Sequence, residues 1–148
     1  MSRAVLVDTS AFHALQNAGD RREHELAKAA AQELEGDGAL LVTTDYVLDE
    51  TYTLLRSVLG HGAAVNFGRE IQVGDLEIVQ VDEQVQRDAW RIFERYSDKD
   101  FSFTDCTSFV VMARARLPRA FTFDRHFVQY GLTTIPPASV LTGRGRRR

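Results

Sequence analysis

Ala4-Val5-Leu6-Val7 runs directly into Asp8-Thr9-Ser10, and near the other end of the chain Ala120-Phe121-Thr122-Phe123 runs just as directly into Asp124-Arg125-His126-Phe127. Each is a short apolar run of strand length that ends on an acid. Three more runs read as strands, at Ala39 to Thr43, Leu76 to Val81 and Leu132 to Ile135. Helical patterns lie between them. Asp20 followed by Glu23 is a start signal, Leu26, Ala30 and Leu34 form one apolar stripe, and Gly36 is a stop. Tyr46 to Leu59, Ala63 to Val73, Val85 to Tyr96 and Ser102 to Arg116 carry the same 3.6-residue spacing. Strands alternating with helices require crossover connections, so the sheet is largely parallel and covered on both faces. The fold class is α/β.

The chain has 148 residues, 44% hydrophobic and 26% charged, which suits one globular domain with an ordinary core. The expected division is a domain over 1–140 and an Arg-rich, disordered tail over 141–148. No apolar run approaches the roughly 18 residues of a membrane-spanning helix, and Asp8 interrupts the opening run too soon for a signal peptide. A cytoplasmic protein that meets no membrane is expected. The single cysteine, Cys106, excludes an internal disulfide and a Cys-rich zinc site. Net charge is −3, but Arg144, Arg146, Arg147 and Arg148 close the chain, so residues 1–143 carry −7. A body that acidic repels polyanions unless cations or a local basic edge intervene.

In parallel sheets, ligands bind outside the carboxyl ends of the strands, where strand order reverses. Asp8 and Asp124 stand at such ends. Glu50, one turn into the helix beginning near Asp45, and Asp105, in Phe103-Thr104-Asp105-Cys106, add two acids on helices. Each has a local explanation: Asp8 and Asp124 as helix caps, Ser102 with Asp105 as a capping box, Glu50 as a solvated side chain. A cap is worth about 1 kcal/mol. Two carboxylates about 4 Å apart repel by roughly 4 kcal/mol at an effective dielectric of 20, so a converging set takes up protons or holds a cation. All-oxygen ligands suit a hard ion, Mg²⁺ or Mn²⁺.

Four segments carry a family resemblance: Val7-Asp8-Thr9-Ser10-Ala11-Phe12, Thr44 to Thr51, Phe103 to Phe109, and Thr122-Phe123-Asp124-Arg125-His126-Phe127. In this order, and in this strand and helix context, they resemble the PIN domain, and more narrowly the VapC-type toxin ribonucleases of bacterial toxin–antitoxin pairs. The resemblance covers about residues 4 to 135. It implies a three-layer α/β/α sandwich with strand order 3-2-1-4-5 and an acidic quartet of Asp8, Glu50, Asp105 and Asp124, with Thr122 in support. It also implies Mg²⁺-dependent hydrolysis of RNA, a homodimer, and a cognate antitoxin whose basic or aromatic segment blocks the crevice. For the substrate, the resemblance implies a structured cellular RNA such as transfer RNA. Asp8 and Asp105 are expected to bind metal directly, and Glu50 or Asp124 to orient the attacking water.

Other residues receive lesser expectations. Arg114, Arg116, Arg119 and above all Arg125 stand near the third and fourth acids as candidate phosphate contacts. Arg144 to Arg148 have no counterpart in the family pattern and receive no role. Cys106 is expected to be a buried small hydrophobe, the four histidines to be surface or structural residues, and Asp98 and Asp100 to belong to a polar loop. Trp90 is assigned to the core or a dimer face. A phosphotransfer receiver is disfavoured because neither Lys28 nor Lys99 follows the last core strand, and a haloacid-dehalogenase-type phosphatase because Ser10 replaces its second aspartate. The remaining rival is a non-catalytic module that holds an arginine-rich peptide in the acidic crevice.

Overall fold

The computed structural model describes residues 3–141. Five strands, β1 (Ala4–Val7), β2 (Leu40–Thr44), β3 (Glu77–Val79), β4 (Arg119–Phe121) and β5 (Thr133–Ile135), pair entirely in parallel in the order β3-β2-β1-β4-β5. The helices are α1 (Thr9–Gln16), α2 (Arg21–Gly36), α3 (Asp45–Leu59), α4 (His61–Val73), α5 (Glu83–Arg95), α6 (Phe103–Ala115) and α7 (Arg125–Tyr130). A 3₁₀ turn at Ala138–Leu141 follows β5.

Side chains alternate across a strand, and the central strands bury both sets. Val5 and Val7 of β1 join Phe121 in a core with apolar residues of α1, α2, α3 and α4, whereas Leu6 joins Ala120 in a second core with α5, α6 and Phe127. Two cores on opposite faces of one sheet make the expected three layers. Among the described residues no helix is long and apolar enough to cross a membrane.

The sequence signals act locally as they should. Asp20 accepts from the Glu23 amide to start α2, and Ser102 with Asp105 closes a capping box at the head of α6. Gly60, at φ 102°, separates α3 from α4 in a conformation that side chains resist. Two short helices, α1 and α7, stand where the sequence offers only cap signals. The fourth strand ends at Phe121, not Phe123: the Thr122 amide still bonds to the Ile135 carbonyl, after which the chain turns out of the sheet. The third is shorter than Leu76 to Val81 because it lies on the sheet edge, paired on one side only. Leu141, which the sequence places in the tail, is buried in the first core; residues 142–148, with Arg144 to Arg148, lie outside the described residues.

Strand order reverses between β1 and β4. Val7 sits opposite Phe121, and the Asp8 amide donates to the Phe121 carbonyl at 3.0 Å, so the chain delivers Asp8 and Thr122 side by side at the carboxyl edge.

Candidate active site

Asp8 is 4% exposed and one of its oxygens is fully engaged. Oδ2 accepts from the Thr122 hydroxyl at 2.9 Å and from the Ser10 hydroxyl at 3.0 Å, with the Ser10 amide at 3.4 Å. No donor among the described residues reaches Oδ1. Burial, then the charges of Asp105, Asp124 and Glu50, push the Asp8 carboxyl up from 3.8 to about 8, against a partial pull downward by the Thr122 hydrogen bond. Asp105, Asp124 and Glu50 thus all lie close enough to act on the Asp8 carboxyl.

Asp105 and Asp124 show that capping and convergence are compatible. Asp105 Oδ2 accepts from the Ser102 amide at 3.0 Å, and Asp124 Oδ1 accepts from the His126 amide at 2.9 Å at the start of α7. A cap occupies one oxygen of a carboxylate. For Asp105, as for Asp8, no donor among the described residues reaches the other oxygen.

Glu50, on α3, has an exposed residue surface, but its Oε1 lies 3.0 Å from the hydroxyl of buried Thr9. Burial of the carboxyl raises its pKa, the Thr9 hydrogen bond lowers it, and the charges of Asp105, Asp124 and Asp49 raise it again. Thr51, one residue on, donates to Thr9 at 3.1 Å or to the Val47 carbonyl at 2.7 Å, which fixes the hydroxyl that Glu50 meets.

Two hydroxyls join the strand ends. Thr122, fully buried, accepts from the Asp124 amide at 2.9 Å while donating to Asp8. Ser10 accepts from the Phe123 amide at 2.8 Å and lies 3.0 Å from Thr122 Oγ1. Ser10 carries no signal of its own in the sequence beyond its place in the Asp8-Thr9-Ser10 run.

His126 departs most from expectation. Its ring Nδ1 lies 2.7 Å from Asp105 Oδ2 and 3.2 Å from Asp124 Oδ1, and only 15% of its side chain is exposed. Asp105, Asp124 and His126 each offer one ligand atom, all within 4.8 Å of one another. The sequence signal was its position two residues after a capping acid, which puts its amide on that acid and its ring nearby. Cys106 is buried and its thiol pushed up to about 12 by burial and then by the Asp105 charge, so it is no nucleophile.

The arginines divide. Arg125 is half-buried beside Asp124, and its side chain makes no hydrogen bond or ion pair among the described residues. Arg114 pairs with Asp88 of α5, nine residues and therefore about 13 Å along α6 from Asp105. Arg116 ends α6, and Arg119 begins β4 at the amino edge of the sheet. Asp98 is exposed and pairs with Lys99 at 2.8 Å. Trp90 is 53% exposed, which removes it from the core.

The donor set fits a divalent cation: buried carboxylates with one oxygen each unclaimed, mutual repulsion that a double positive charge relieves, and an imidazole alongside.

Comparison with known proteins agrees in family and in fold. The family model described as PIN domain matches residues 5–132. The 23S rRNA-specific endonuclease VapC20 of Mycobacterium tuberculosis (strain ATCC 25618 / H37Rv) is 32% identical over 90% of this chain and 98% of its own. The VapC ribonuclease of Archaeoglobus fulgidus is 30% identical over 84% and 79% respectively. The crystal structure of Mycobacterium tuberculosis VapC20, a Sarcin-Ricin loop cleaving toxin, superposes with a TM-score of 0.78 at 34% identity, covering 87% of this chain and 96% of that one.

Proposed function

Because this chain belongs to the PIN-domain family, we propose that it is a metal-dependent endoribonuclease, the toxin of a VapC-type toxin–antitoxin pair, with Asp8, Glu50, Asp105 and Asp124 as its working carboxylates. The observation that carries the assignment is that Asp105, Asp124 and Glu50 all act on buried Asp8 at the β1–β4 switch point, while Asp8 Oδ1 and Asp105 Oδ1 have no donor among the described residues. Asp8 and Asp105 are the first candidates to hold Mg²⁺ or Mn²⁺. When bound, the ion supplies positive charge to the phosphoryl group and acidifies water.

The chain's own residues do the rest. Thr122 and Ser10 hold Asp8 Oδ2, and Oδ1 has no donor among the described residues. Glu50, its pKa raised and its carboxylate held by Thr9, is placed to orient the attacking water and take its proton, with Asp124 as the other candidate. Arg125, unpaired within the described chain and next to Asp124, grips a substrate phosphate. Arg114 is already engaged with Asp88 and is left out.

Ribosomal RNA is the first substrate to test beside transfer RNA, because a relative aligned along nearly its whole length is named a 23S rRNA-specific endonuclease. The protein acts in the cytoplasm as a homodimer through the exposed α5 face, where the Trp90 and Phe93 rings stand 5.7 Å apart, and a cognate antitoxin closes the crevice. The arginine-bearing segment from 141 is a tail outside the nuclease domain of 1–140, save that Leu141 packs with the domain. The test is cleavage of ribosomal and transfer RNA by purified protein with Mg²⁺, with Mn²⁺ and with chelator. Metal-stimulated cleavage supports the proposal. Binding of an arginine-rich peptide with no cleavage of either RNA would favour the non-catalytic module instead.

A further inference from the structure

Asp8 and Asp105 share a pattern: one oxygen saturated by protein donors, the other with none among the described residues. For Asp8 the saturating groups are hydroxyls on the two strand ends. For Asp105 they are the Ser102 amide at 3.0 Å and the His126 ring at 2.7 Å. The same ring nitrogen lies 3.2 Å from Asp124 Oδ1. Both neighbours of Nδ1 are carboxylate oxygens, so this nitrogen carries the hydrogen and the ring presents one N–H between two acids. The ring is held there: it meets Phe101 edge-on at 5.7 Å and 76°, and its own amide donates to Asp124.

We infer that His126 is a positioning residue, whose Nδ1–H ties Asp105 Oδ2 to Asp124 and thereby keeps Asp105 Oδ1 turned into the crevice toward Asp8. The inference rests on the proposed metal-dependent use of that crevice. With the ring hydrogen bond gone, Asp105 Oδ2 retains only the Ser102 amide among the described residues and loses its link through the ring to Asp124. Hydrogen-bond partners one step behind a metal's ligands are worth about 10- to 100-fold in affinity when removed.

The experiment titrates Mn²⁺ into the full chain and reads free Mn²⁺ by electron paramagnetic resonance, for wild type, His126→Phe and His126→Asn. Phenylalanine keeps the packing on Phe101 and removes the N–H. Asparagine restores an N–H near the position of Nδ1. His126→Phe is expected to bind Mn²⁺ about 10- to 100-fold more weakly and His126→Asn to recover most of the difference; His126→Ala replaces the phenylalanine variant if its circular dichroism shows it unfolded. Wild-type affinity in the N–H-deleted variant would overturn the inference while leaving the metal site standing. A directly bonded ¹⁴N in the spin-echo modulation of wild-type Mn²⁺ would also overturn it, since His126 would then be a ligand. No Mn²⁺ binding by wild type would remove both the inference and the metal-dependent proposal beneath it.

Discussion

Thr122 donates to Asp8 at 2.9 Å across two neighbouring parallel strands, from a position 114 residues away in the chain. Together with the Ser10 hydroxyl and amide it occupies Asp8 Oδ2, and no donor among the described residues reaches Oδ1. The Thr122 oxygen also accepts from the Asp124 amide, so a single hydroxyl registers the first acid against the fourth.

Thr122→Val keeps the shape and deletes the bonds to Asp8, to the Asp124 amide and to the Ser10 hydroxyl. The Asp124 amide loses its acceptor, while Asp8 Oδ2 keeps only its Ser10 donors, and stability should fall by about 1–3 kcal/mol in urea unfolding. Because the hydroxyl pulls the Asp8 pKa downward, the rising limb of the cleavage–pH profile should also move to higher pH. Unchanged stability together with an unchanged profile would deny Thr122 this part.

The Asp8 carboxyl has a pKa of about 8 in the fold against an ordinary 3.8. The folded protein therefore holds this proton more tightly than the unfolded chain, and the metal-free protein should lose stability as pH rises from about 4 to about 8. A bound cation reverses the sign locally, since it competes with the proton. Thermal melting should show added Mg²⁺ or Mn²⁺ stabilising more at pH 8 than at pH 6, and Asp8→Asn should flatten the metal-free pH dependence. A wild-type curve that rises through this window would contradict the origin assigned to the shift.

Arg125→Gln removes the guanidinium proposed to grip a phosphate without touching the carboxylates. RNA binding should weaken and the slope of log affinity against log salt should fall by roughly one. An unaltered slope would return Arg125 to the solvated surface.

Trp90→Ser with Phe93→Ser strips the exposed rings from α5, at 53% and 41% exposure for the two native residues. Sedimentation should find the wild type a dimer and the double variant a monomer. A dimer that survives the double substitution would move the interface elsewhere.

Much of this architecture is legible from one-dimensional cues. β1 and β4 announce themselves as apolar runs closing on an acid, and α2 carries its start, stripe and stop within seventeen residues, Asp20 to Gly36. α1 and α7 are less visible because helices of eight and six residues complete too few turns to display a stripe. Caps and convergence look like competing explanations in sequence, yet Asp105 and Asp124 do both, each cap engaging one oxygen. His126 escapes notice because its partners depend on where the head of α7 is set relative to α6, which no spacing encodes. Trp90 reads as core or dimer face in sequence, and its exposure removes the first alternative only.

The most direct measurement is an anomalous difference map of crystals grown with Mn²⁺. A peak in contact with the carboxylates of Asp8 and Asp105, absent from Asp8→Asn crystals grown alike, is the expected result. Crystals in saturating Mn²⁺ that show no peak at this crevice would contradict a metal-dependent active site built on the four acids.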